Sequence, residues 1–319
     1  MIIRHPRFGW LSRGLGALLA VAASAAAQRA YPAPPAVAEA PAAKTAEDLG
    51  ESWVRIRNDE QGEPLALEVA VVRYASARLS RRPAKTADEF VDLVGAVHVG
   101  DRSYYAKLNR LFAAYDAVLF ELVAPEGTVV EPGQGTSNTN PLGALQNGMK
   151  TMLELEHQLE QIDYTKPNFV HADLSPEEFL TSMKDRNEGF MKMYMRMMGQ
   201  TIAMQSQQAT EGKSTDLDIL AALLSKDRPR MLKIALAEQF QSMESLLTGI
   251  SGPDGSTLIT ERNKRALEVL RQQRSSGKRK LAIFYGAGHL ADMHKRMIAE
   301  FGLKPVSVTW LEAWNLRAK

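Results

Sequence analysis

The 319-residue chain contains no cysteine. That absence excludes disulfides, a thiol nucleophile, thiolate-held zinc or iron–sulfur sites and a lipid-modified cysteine, so any metal must be held by His, Asp or Glu. A strong charge of one sign is also missing. The 39 Lys and Arg stand against 37 Asp and Glu, a net charge of +2, and this balance carries no nucleic-acid footprint. No apolar run reaches the roughly 20 residues that a membrane-spanning helix needs. A Gly-x-Ser-x-Gly elbow, a phosphate-binding loop and a Gly-x-Gly-x-x-Gly fingerprint are all absent, which removes the usual signatures of serine hydrolases, P-loop proteins and dinucleotide binders. What is there is ordinary globular composition, 45% hydrophobic and 24% charged, in a length that allows one large domain or two modest ones.

The amino terminus reads as an address. Arg4, Arg7 and Arg13 precede the apolar run Leu15–Ala27, which ends in small residues. Basic head, short apolar stretch and small-residue cleavage zone are the layout of a secretory signal peptide, 1–27, and predict a periplasmic or secreted protein with no membrane span after cleavage. Residues 28–48 are rich in Pro and Ala and read as a linker. Cutting after Ala27 leaves 36 basic side chains against 37 acidic, a mature net charge of −1. The basic excess belongs to the targeting segment.

The mature part, 49–319, reads as α/β. Extended segments are expected from about residue 63 and over Phe90–Val99, Ala117–Val123, Leu281–Tyr285 and Pro305–Trp310. Helical periodicity over Ser103–Tyr115 and around Leu290–Phe301 falls between them. Strand–helix–strand units at this spacing predict a central, mostly parallel sheet with flanking helices. Residues 141–250 read instead as a large helical insertion or lid, with one strand near Phe169–Ala172 and a capping box at Ser175-Pro-Glu-Glu178. The segment Met183–Met204 carries seven of the 14 methionines. A copper site, an adaptable groove and a helix buried on several sides all fit that pattern.

Two local patterns match, Gly95-Ala-Val-His98 and Gly286-Ala-Gly-His289. Each follows a buried-type apolar run and precedes a helix, which places both histidines at carboxyl ends of parallel strands, the edge where ligand sites form. Glu121 lies in the apolar run Ala117–Val123, where a carboxylate is expensive unless paired, hydrogen-bonded or metal-bound. His98, Glu121 and His289 would make a three-ligand set for a hydrolytic divalent metal. The alternative is a Glu paired with an Arg and two histidines satisfied by backbone. Arg262, in Glu261-Arg262-Asn263 at the start of an amphipathic helix, would bind Glu121 or a substrate carboxylate, or simply open a surface helix. Asp101 would orient an imidazole or cap the helix near Ser103. His294 lies roughly 140° around a helix from His289 and should face elsewhere. His171, near Asp173, lines the cleft or sits in a loop. Glu154-x-x-His157 has the spacing that di-iron bundles use twice, but it occurs once.

The stretches Val94–Tyr105, Tyr115–Val123 and Phe284–Leu290 resemble the TraB/GumN/Tiki family, which is marked by two Gly-x-x-His motifs and a Glu, here His98, His289 and Glu121. Glu261-Arg262-Asn263 is similar to a further family segment, and the resemblance covers about residues 60–315. It implies an α/β fold and a His/Glu site, since Tiki members are metal-dependent proteases and the superfamily is linked to erythromycin esterases and haem-binding ChaN-like proteins. The expectation is an exported metal-dependent hydrolase, foremost a peptidase, using Mn, Co or Zn on a peptide or small-molecule substrate, with Arg262 stabilising negative charge. Two alternatives remain, a metal-independent His/Glu hydrolase of esterase type and a non-enzymatic periplasmic protein that binds haem or peptide.

Overall fold

Strand β2, Pro64–Ser76, organises the sheet because its apolar residues are buried on both faces. One of its edges pairs along the whole length with β9, Leu303–Asn315. The other edge is shared by β1, Val54–Asn58, and β3, Phe90–Ala96, all three contacts being antiparallel. From β3 the sheet continues in parallel through β8, Lys280–Gly286, then β5, Ala117–Phe120, then β7, Phe169–His171. Six of these seven strands therefore point the same way, and β2 alone opposes them. This is the expected α/β fold with a mostly parallel sheet.

The computed structural model describes residues 53–76, 89–130, 153–189, 215–250 and 255–318. The segments that read as a signal peptide, 1–27, and a linker, 28–48, lie outside them, as do residues 190–204 of the Met-rich stretch. Among the described residues no helix is long and apolar enough to cross a membrane.

Alternation along the strands builds a core on each face. Val118, Phe120, Ala282 and Phe284 pack with Tyr104, Leu108 and Phe112 of α1, Arg102–Phe112. Their strand neighbours Ala117, Leu119, Leu281, Ile283 and Tyr285 turn to the opposite face. There they meet Ala266, Leu267 and Leu270 of one helix, Arg262–Ser275, and Leu290, Met293 and Met297 of another, Ala287–Phe301. Within residues 141–250 the described helices are Pro176–Asp185, Thr215–Leu224 and Arg228–Ile250, besides the single turn Gln158–Gln161. The first opens on the expected capping box, with Glu178 N donating to Ser175 Oγ at 3.1 Å and Ser175 N to Glu178 Oε2 at 2.8 Å.

Gly95 in β3 leaves no room for a side chain. A Cβ there would stand 2.3 Å from Val69 Cγ1 and 3.2 Å from both the Ala70 carbonyl oxygen and Leu290 Cδ1. Gly95→Ala is expected to cost about 1–3 kcal/mol by overpacking. Urea unfolding should show that cost shrinking in a Val69→Ala background, where the clash is relieved.

Candidate active site

The carboxyl ends of β3, β8, β5 and β7 lie side by side, because Ala96 pairs with Gly286 and Phe120 with both Phe284 and His171. The two Gly-x-x-His segments therefore leave the sheet from neighbouring strands. The β3 chain continues through His98 into the short strand β4, Val99–Gly100. The β8 chain enters the helix Ala287–Phe301 at once, so His289 sits buried in its first turn. Glu121 is the first residue past β5 and Asp173 the second past β7. Strand β8 lies between β3 and β5, so the strands preceding His98 and Glu121 are not neighbours.

Glu121 is held at both oxygens. Its Oε2 accepts from Gly286 N at 2.6 Å, and its Oε1 from Arg262 Nη2 at 2.7 Å. The absent side chain at Gly286 matters, since a Cβ would press to 3.3 Å from that carboxylate. Burial opposes ionisation of Glu121, but the charges of His289 and Arg262 and the Gly286 N–H outweigh it and hold the carboxyl down at about 2.

Arg262 opens its helix just after a π-helical turn, Thr257–Glu261, whose Ser256 hydroxyl accepts from Ile259 N at 3.2 Å. Its guanidinium is shared between two acids. Nε and Nη2 donate to Asp173 Oδ1 and Oδ2 at 2.9 and 2.6 Å, while Nη2 also reaches Glu121. Nη1 approaches His289 Nε2 at 3.4 Å. The sequence expectation that Arg262 binds Glu121 is met, and the surface-helix alternative is not, since Arg262 is 7% exposed.

His289 Nε2 lies 3.5 Å from Glu121 Oε1. Its Nδ1 is 2.7 Å from Asn263 Oδ1, and its ring stands edge-on to Tyr285 at 5.2 Å. Burial pulls the imidazole below 6.5; the Glu121 charge opposes this and Arg262 adds to it. At neutral pH the cation of the cluster is Arg262, and His289 is a neutral base.

His98 does not join the contacts. Its side chain is exposed and bears on Glu121 only through its charge. Its backbone, by contrast, is clamped. Tyr104 and Tyr105 hydroxyls donate to the carbonyls of Gly95 and Val97 at 2.9 and 3.0 Å, Gln158 N to that of His98 at 2.9 Å, and Trp314 Nε1 to that of Val99 at 2.7 Å. Four donors from three parts of the chain thus hold the loop that presents His98 to solvent.

A metal ion would find two donors here. The 3.5 Å between His289 Nε2 and Glu121 Oε1 is within the span of two bonds of about 2.0–2.2 Å. The third expected ligand, His98, is not beside them, and Arg262 already lies on the same carboxylate oxygen. Among the described residues no group of three or more His, Asp and Glu is placed to hold a metal. The residues as arranged do not fit the three-ligand site.

Other candidates take structural places. Asp101 stands at the N-cap of α1, as one of its two readings expected, but makes no side-chain capping bond; its carboxylate accepts from Lys233 Nζ at 2.9 Å and from Asn315 N, tying two distant segments together. His294 faces away, with Nδ1 2.6 Å from the Tyr74 hydroxyl. His171 Nε2 lies 2.6 Å from the Leu122 carbonyl oxygen, beside the Glu121 segment. Glu154 is in a turn at φ 53° and His157 in the two-residue strand β6, Glu156–His157, so their spacing is not that of a bundle helix. Sequence reading missed Asp173 as the main partner of Arg262 and Asn263 as the partner of His289. The only signal for Asp173 was an acid just past a strand, and for Asn263 its place beside Arg262.

No family model, curated protein or solved structure matches this chain. The resemblance to TraB/GumN/Tiki proteins rests on the motif residues alone.

Proposed function

We propose that the chain is an exported hydrolase, with peptides the leading substrate class, centred on Glu121, Arg262 and His289. The observation that carries this reading is a buried imidazole whose Nε2 lies 3.5 Å from a carboxylate oxygen and 3.4 Å from an arginine nitrogen at the carboxyl edge of a parallel sheet. His289 Nε2 takes the proton of an attacking water and returns it to the leaving group. Glu121, 3.5 Å away, stabilises the imidazolium formed in between. Arg262 Nη1 is the one end of the guanidinium not taken by a carboxylate, and it faces the developing oxyanion. His98, held by its backbone at the exposed side, contacts the substrate.

The favoured form is metal-independent, because a fixed cation already occupies the Glu121 oxygen that a metal would need. The test is a panel of peptides and esters incubated with the purified protein, with and without a chelator, and read by mass spectrometry. Cleavage that persists under chelation supports the proposal. Cleavage lost on chelation and regained with Mn, Co or Zn would place a metal at the Glu121–His289 pair instead. Retention of haem or peptide without any turnover would favour a binding protein.

A further inference from the structure

We propose that Asn263 is a positioning residue that fixes His289 in the tautomer protonated at Nδ1, leaving the lone pair on Nε2. This rests on His289 being the base of the reaction, and the geometry of the Asn263 amide carries it. Asn263 is fully buried, so no solvent stands in for a missing partner. Its Nδ2 lies 3.1 Å from the His289 carbonyl oxygen and 2.8 Å from Asp292 Oδ2. A backbone carbonyl only accepts, and Asp292 Oδ2 already accepts from Arg296 Nε at 2.7 Å. The amide must therefore direct its NH2 at these two oxygens, because the flipped amide would set oxygen against oxygen twice. That leaves Oδ1, which has no proton, 2.7 Å from His289 Nδ1. The proton between them belongs to Nδ1.

The consequence falls on the other side of the ring. Nε2 faces Glu121 Oε1 at 3.5 Å and Arg262 Nη1 at 3.4 Å. A neutral imidazole left to itself beside a carboxylate would place its proton toward that carboxylate, on Nε2, and would then have no base on the reacting side. Asn263 works against this preference with a buried acceptor that brings no second negative charge into the cluster. Asp292 and Arg296 orient the amide, so the tautomer is set from the surface inward along the helix Ala287–Phe301.

The test is nitrogen NMR of the whole protein labelled with ¹⁵N-histidine, at alkaline pH where the ring is neutral. In the wild type the His289 signals should read as a protonated Nδ1 and an unprotonated Nε2. Asn263→Leu should move the proton to Nε2. On a substrate the enzyme cleaves, Asn263→Leu should lower kcat roughly 10–100-fold with little change in KM. A purely structural Asn263 would lower the stability of the variant and leave the proton of the neutral ring on Nδ1. A wild-type ring protonated at Nε2 overturns the proposal, as does an Nδ1 proton that persists in a folded Asn263→Leu protein. Should the leucine variant not fold, Asn263→Ser, too short to reach Nδ1, gives the same comparison. Because the tautomer is read without turnover, absence of hydrolysis would remove the proposed reaction and leave the tautomer assignment standing on its own result.

Discussion

Replacing Arg262 by alanine is expected to destabilise the protein by about 3–5 kcal/mol, the usual cost of removing one partner from a buried ion pair. Its guanidinium is wedged between Asp173, whose side chain is 0% exposed, and Glu121 at 15%. Without it, Asp173 loses the bonds at 2.6 and 2.9 Å and Glu121 the one at 2.7 Å, with little access to water in exchange. At roughly 2–4 °C per kcal/mol for a domain of this size, thermal unfolding followed by circular dichroism should shift down by about 10 °C. Arg262→Lys should recover only part, because a single ammonium cannot bridge both acids as the fork does. Pairing Arg262→Ala with Asp173→Asn should recover more, since one stranded carboxylate is then gone. Breaking the surface pair Arg271–Glu300, with side chains 50% and 35% exposed, should cost under about 1 kcal/mol.

Glu121→Gln and His289→Ala are expected to lower kcat by about 10²–10⁴-fold, the range for loss of acid–base function. The glutamine removes the charge that stabilises the imidazolium, and it cannot satisfy both neighbours. Gly286 N and Arg262 Nη2 are both donors, so the amide NH2 must oppose one of them. The pH profile gives an independent check. Burial holds His289 below 6.5, so the base form persists under that pH and activity falls only as pH drops through the lowered value. The Glu121 charge opposes this lowering, so in Glu121→Gln the acid limb of the residual activity should move to still lower pH. A limb that stays in place would show that another group controls the rate.

Much of the sheet was legible because the strands of a parallel sheet are buried on both faces and read as apolar runs bounded by polar turns. Ala282–Tyr285 is such a run, and Val91–Val94 is one broken only by Asp92, whose carboxylate is taken up by Arg73 and Tyr115; the two strands pair, so the two Gly-x-x-His segments leave the sheet side by side. Local periodicity says nothing about which strand lies beside which, so the insertion of β8 between β3 and β5 could not be read. That insertion explains why Glu121 meets the histidine of β8 while that of β3 stands off. Glu121 was legible because an acid in an apolar run needs a partner. Asp173 was not, since its partner is 89 residues away and nothing in its neighbourhood marks it as buried. The clamp on the His98 loop was equally hidden, for no local pattern marks the polar ends of Tyr104, Tyr105 and Trp314, and only the fold sets them on that backbone. The helix carrying Arg262 was placed correctly, but its π-helical entry turn depends on the Ser256 bond and left no pattern in the sequence.

Whether water activated by His289 cleaves the substrate is decided by digesting a cleaved peptide in ¹⁸O-labelled water under chelation and weighing the new carboxylate. One ¹⁸O atom should enter per cleavage with the wild type, and a folded His289→Ala protein should cleave only at background. Product free of ¹⁸O, or labelled product formed equally fast without the imidazole, would rule this reaction out.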